Sequence, residues 1–184
     1  MRLILSSYEA DRYMPNVFVL SLHEGKKPLK GTGGALDWRL EGAISHLIVS
    51  GQFQGKRREH ILYYSTARGT KIFIFGAGGK GSDTPEEISA RAELMMRILH
   101  KAGQTEFVLA PETMMLSAST GEELKISSLK FMEGILKANG KLQIDPHITI
   151  PCPGGHMASA REQIKAALDT LGHSKDVEIV EPTG

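Results

Sequence analysis

A layered α/β fold built on a mixed sheet is predicted by three features of this sequence. Short apolar, β-branched runs alternate with longer segments whose apolar residues recur at helical spacing. Two of those runs are separated by only Ala67-Arg68-Gly69-Thr70, a link that suggests a hairpin and therefore at least one antiparallel pair. The chain has 184 residues, 41% hydrophobic and 23% charged, which fits one domain with a sizeable core. A single domain over residues 1–184 is the expectation, since no repeat, low-complexity segment or linker interrupts the pattern.

In chain order, Arg2 to Ser6 reads as a strand, and Asn16 to Leu22 as a second, almost continuously apolar and so buried on both faces. Gly31, Gly33 and Gly34 open a loop. Leu36, Leu40, Ala43, Ile44 and Leu47 then form the stripe of one amphipathic helix. The runs Ile61 to Thr66 and Lys71 to Phe75 make the hairpin. Thr84-Pro85-Glu86-Glu87 marks a helix start: Thr84 caps, Pro85 takes the first helical position, and Glu87 closes the capping box. That helix should run to about Ala102 and bury Ile88, Ala92, Met95 and Leu99, with Gly103 ending it. A strand at Glu106 to Ala110, a helix at about Ser128 to Ala138 and a strand at Leu142 to Ile150 come next. A helix at Ser159 to Leu171 and a strand at Val177 to Val180 complete the series.

Composition narrows the function classes. One cysteine, Cys152, excludes an internal disulfide and fits a reducing compartment. The apolar run Leu3-Ile4-Leu5 is too short for a signal peptide, and no stretch approaches the roughly 20 apolar residues of a membrane span. A cytoplasmic location without membrane attachment is the expectation. The net charge of +1 hides an asymmetry: 12 Lys and Arg against 6 Asp and Glu in residues 1–80, and 10 against 15 in residues 81–184. The basic excess is densest at Lys26, Lys27 and Lys30 and at Lys56, Arg57 and Arg58. Neither cluster has the interleaved aromatics of a nucleic-acid platform, so a solvated surface is the plainer reading.

Candidate sites are few. Gly76-Ala77-Gly78-Gly79-Lys80-Gly81 satisfies G-x-G-x-x-G between a strand and a helix, where backbone amides can cradle a phosphate. The dinucleotide version needs an acidic residue ending a second strand, whereas Glu93 lies within the next helix. Gly31, Gly33 and Gly34 form a second possible anion loop. The candidate phosphate- or nucleotide-binding residues are thus Gly31, Gly33, Gly34, Gly76, Gly78, Gly79 and Gly81, each also explicable as part of a structural turn. Asp145, His147, Cys152 and His156 could each ligate a metal, but their spacing matches no standard zinc pattern. No G-x-S-x-G elbow is present, and Cys152 stands between two prolines without an evident catalytic partner.

The stretch from Gly31 to Gly78 nevertheless has a recognisable order: a glycine loop, Leu36-Asp37 to Leu40, Phe53 to Lys56, then a strand from Ile72 ending at Gly76-Ala77-Gly78. It resembles the N-terminal domain of the leucine aminopeptidases, the M17 metallopeptidase family. Phe131-Met132-Glu133-Gly134 and the alanine-rich segment Ala158 to Leu171 extend the likeness. The resemblance implies a three-layer αβα sandwich with a mixed sheet, similar to macro domains. In the family this domain precedes a catalytic domain that holds two metal ions on Lys, Asp and Glu. The catalytic signature Asn-Thr-Asp-Ala-Glu-Gly-Arg is absent from this sequence, and Gly79-Lys80-Gly81 is only a fragmentary echo of the family's metal-binding segment. No catalytic or metal-binding residue carries over, and no cofactor is expected.

The expectation is therefore a non-catalytic, stand-alone domain acting in assembly or protein interaction, as a homo-oligomer or with a separately encoded peptidase. One alternative is a macro-type module binding a nucleotide or ADP-ribose. Another is a part of a larger M17 aminopeptidase, against which Met1 and the C-terminal strand favour a complete short protein.

Overall fold

The computed structural model describes residues 1–8, 16–25, 28–79, 81, 83–114, 122–152 and 156–180. Its centre is a seven-stranded sheet of β1 (Arg2–Ser6), β2 (Val17–His23), β3 (His60–Ser65), β4 (Thr70–Gly78), β5 (Glu106–Leu109), β6 (His147–Pro151) and β7 (Glu178–Val180), in the order β3-β4-β2-β5-β6-β1-β7. Only β3 runs antiparallel to its neighbour, β4; every other adjacent pair is parallel. The mixed sheet and the hairpin follow the sequence reading.

Two cores of unequal size lie on the two faces. Val17, Val19, Phe73, Phe75, Phe107, Leu109, Ile148 and Ile150 face α3 (Pro85–Lys101), α4 (Glu122–Leu142) and α5 (Met157–Leu171). Phe18, Leu20, Ile72, Ile74 and Val108 face the short helices α1 (Gly31–Arg39) and α2 (Ala43–Val49). Alternation along β2 thus sends an apolar residue to each layer in turn, which is why the strand reads as a continuous apolar run. This is the three-layer αβα sandwich.

Several element boundaries differ from the sequence reading; α4 already begins at Glu122, and β4 runs on to Gly78 through residues expected to form a loop. The stripe Leu36 to Leu47 is two helices, because Glu41 (φ 57°) and Gly42 (φ 81°) both adopt the left-handed conformation. Asp37 ties the break together, its carboxylate accepting from the Ser45 backbone at 2.9 Å and from the Ser45 hydroxyl at 2.5 Å. The residues Gly31, Gly33 and Gly34 are the first turn of α1, not a loop before it. Helix α4 continues through Asn139-Gly140 to Leu142 and stops where Gln143 turns left-handed (φ 50°), so β6 begins only at His147. Packing overrides the weak helix propensity of Asn139 and Gly140, since Phe131, Met132, Ile135 and Ala138 are all buried. At Gly134 the two long helices touch: a methyl group there would collide with the Ser89 carbonyl oxygen of α3.

Candidate functional site

The carboxyl ends of β2, β4 and β5 open into a cleft of about 760 Å³. Strand order explains its place. From β2 the chain passes to β4 on one side, and α3 then crosses back so that β5 flanks β2 on the other. Helices leaving in opposite directions leave a crevice between them, the usual ligand position in open α/β sheets. Its walls are the end of β2 (Leu20 to His23), the start of α1, Asp83 and Arg91 of the α3 region, and Glu112 of a 3-10 turn at Pro111–Met114. The first residues of α4 complete it, with Glu123, Leu124 and Ser127 among them.

The polar groups of this cleft are held from several directions. Glu112 Oε1 accepts from the backbone N–H of Thr32 at 2.7 Å, so a carboxylate already sits against the positive end of α1. The next residue, Thr113, accepts from the backbone N–H of Ser21 at 2.9 Å, which fastens the 3-10 turn to the end of β2. Across the cleft, Arg91 donates to Asp83 at 2.8 Å, and both side chains are only 9% exposed.

The seven candidate glycines divide between the cleft and its supports. Gly33 and Gly81 line it. Gly31 has a positive φ of 58° and stands against the Glu112 carboxylate, where a side chain would collide with it. Gly34 packs on the Leu29 backbone. Gly76 and Gly78 belong to β4, and their amides donate to the carbonyls of Glu59 and Gly55, both at 2.8 Å. Gly79 follows directly after the strand. Lys80 lies outside the described residues, as do Lys26 and Lys27 of the first basic cluster.

The second basic cluster is partly structural. Arg57 pairs with Glu87 at the start of α3, and the Glu59 carboxylate accepts from the backbone N–H groups of Gln54 and Lys56. The four residues weighed as metal ligands are not gathered into a site. Asp145 pairs with the Met1 ammonium at 2.6 Å, which holds its carboxyl below the usual range, and Cys152 is buried beneath α5. Among the described residues no group of three His, Cys, Asp or Glu is placed to hold a metal ion. Burial pushes the Cys152 thiol up to about 11.

Ser21, Asp83, Arg91 and Glu112 were not singled out from sequence. The only available signal was position: Ser21 and Glu112 stand at the carboxyl ends of buried strands, where α/β sheets concentrate binding groups.

Comparisons with known proteins agree with this fold. The profile of the cytosol aminopeptidase family, N-terminal domain, matches residues 17–129. A probable cytosol aminopeptidase of Alkaliphilus oremlandii is 30% identical over 93 residues, covering 50% of this chain but 18% of the relative. The matched segment therefore spans less than a fifth of that protein's length. Among solved structures, a tomato leucine aminopeptidase superposes with a TM-score of 0.64 at 16% identity, over 91% of this chain and 35% of that one. An Oceanobacillus iheyensis macrodomain gives 0.64 at 10% identity over 90% and 92%, and the Thermus aquaticus DarG macrodomain 0.58 at 13% over 82% and 98%. Identities this low speak for the fold alone, which is macrodomain-like. The matched profile covers more than half of the residues, so the chain belongs to the cytosol aminopeptidase family, through that family's N-terminal domain.

Proposed function

We propose that this chain is a non-catalytic interaction module that self-associates through the β3 edge of its sheet. The observation that carries this reading is the apolar character of that edge. Among the described strands β3 pairs only with β4, and its exposed face presents Leu62 at 50% and Tyr64 at 53% exposure. An unpaired edge bearing large apolar residues is a template for a further strand, and folded proteins normally blunt such edges with charge. Two copies meeting edge to edge in antiparallel register would bring Leu62 of one beside Leu62 of the other and keep every side chain on its own face. The test is light-scattering mass across a concentration series for the native chain and for Leu62→Lys. An oligomer that the substitution returns to monomer supports the reading. A native chain that is monomeric throughout overturns it.

Two other readings stand beside it. A macro-type nucleotide module is favoured by the position of the cleft at the carboxyl ends of β2, β4 and β5. The amides of Gly76 and Gly78 are already bonded within the fold, so that reading rests on the cleft's position alone. A role as one part of a longer aminopeptidase is compatible with the short span of the matched relative, and would place catalysis in residues outside this sequence.

A further inference from the structure

The outer edge of β3 offers only a short ladder. The Gly76 amide donates to the Glu59 carbonyl at 2.8 Å, which fixes the phase of the β3–β4 pairing. Backbone groups alternate along a strand, so Ile61, Tyr63 and Ser65 turn theirs toward β4, while His60, Leu62 and Tyr64 turn theirs outward. The same three residues carry the exposed side chains. A pairing centred on Leu62 therefore uses three residues from each copy, a contact well below the roughly 1,200–2,000 Å² of stable interfaces. What meets at its two ends then decides the balance.

Both ends are basic. Lys56, Arg57 and Arg58 stand exposed before β3; Arg68 is exposed in the turn after it, and Lys71 sits opposite Tyr64. The acidic residues that contact these segments are already bonded: Glu87 pairs with Arg57, and the Glu59 carboxylate accepts from the Gln54 and Lys56 amides. Arg58 and Arg68 have no carboxylate partner among the described residues. The Arg58 backbone is held left-handed, at φ 64°, by a turn in which the Glu59 amide donates to the Lys56 carbonyl at 3.1 Å. That conformation costs arginine more than glycine or asparagine, so the turn alone does not explain an arginine there.

Antiparallel pairing sets the start of one β3 against the end of the other. It brings Lys56 and Arg58 of one copy beside Arg68 of the second, at both ends, whichever residue of β3 lies on the two-fold axis. Like charges opposed across paired strands are unfavourable. Guanidinium groups on strands about 4.8 Å apart can instead share one phosphate-like anion, each through its forked N–H donors. We propose that a multivalent oxyanion of the phosphate class binds at each end of the paired β3 strands, between Arg58 of one copy and Arg68 of the other, and that the edges pair tightly only with it. The site is incomplete in a single chain. It rests on the edge-to-edge reading above and adds what controls it.

The test is sedimentation equilibrium of the full chain in sodium chloride, phosphate and pyrophosphate, matched in pH and ionic strength so that general screening is equal. Pyrophosphate is expected to tighten the dimer at least about tenfold over chloride. Arg58→Gln and Arg68→Gln should each abolish that response, with thermal midpoints unchanged because both side chains are exposed. Arg68→Glu should dimerise in chloride at least about tenfold more tightly than the native chain, because its carboxylate would meet Arg58. A dimer equally tight in chloride and pyrophosphate overturns the proposal and leaves edge pairing standing. A pyrophosphate response that survives both glutamine substitutions, or Leu62→Lys, places the anion elsewhere and also overturns it. So does an effect of ADP without one of pyrophosphate, which would assign the site to a nucleoside. A chain monomeric in every anion, with Arg68→Glu monomeric as well, overturns edge pairing itself and this proposal with it.

Discussion

At Gly76 a methyl group would overlap the carbonyl oxygen of Lys56, while at Gly81 it would meet open space. The two residues stand in one sequence motif, yet the fold uses them differently. Gly76 lets the segment around Gly55 and Lys56 lie directly on β4, and its own amide donates to Glu59. Gly81 holds a left-handed φ of 78°, which costs an alanine about 1–2 kcal/mol without any collision. Gly76→Ala must displace backbone and should cost about 3 kcal/mol or more, at the upper end of overpacking effects. Urea denaturation of the two variants checks this. A Gly76→Ala variant as stable as Gly81→Ala would show that the Lys56 segment moves aside easily. Glycine spacing records where backbone approaches closely, without saying whether ligand or protein is what approaches.

Helix α3 is the element most fully specified by local chemistry. Its capping box forms as the sequence predicts, the Glu87 amide donating to Thr84 Oγ1 at 3.3 Å and the Thr84 amide to Glu87 Oε2 at 3.0 Å. Thr84→Ala should therefore cost about 1 kcal/mol, measured by chemical denaturation. A change below about 0.3 kcal/mol would mean that Pro85 and the packing of Ile88, Met95 and Leu99 alone fix the helix start. The α1–α2 pair shows the opposite case. One apolar stripe spans both helices because both lie on the same sheet face, and the stripe continues through a break it does not register. Two left-handed residues and the Asp37–Ser45 bonds make that break, and neither leaves a periodic trace.

At the scale of the whole molecule, the larger core lies between the sheet and α3, α4 and α5, and Cys152 is sealed within it at 5% exposure. Its thiol should react with iodoacetamide only as fast as the domain opens, which makes labelling a reporter of global unfolding. Because burial raises its pKa from 9.0 to about 11, the folded state keeps a proton that the unfolded state loses first. The associated stability is complete below about pH 9 and is lost as pH rises toward about 11. A Cys152→Ala chain should lack that component of the alkaline slope. An identical slope in both chains, or rapid labelling of the native protein at neutral pH, would place the thiol outside the core.

What the sequence by itself determined was the alternation of strands and helices, the hairpin, the start of α3, the mixed α/β class and the family. All of these rest on local periodicity, capping chemistry and short ordered motifs, which are properties of neighbouring residues. Only the tertiary structure decided that residues 21, 83, 91 and 112 share one cleft, because strand order brings the ends of β2 and β5 beside the start of α3. It also decided that a carboxylate from residue 112 occupies the start of a helix eighty residues earlier in the chain. Contacts between residues so far apart follow from sheet topology and helix packing, and no spacing within the sequence encodes them directly.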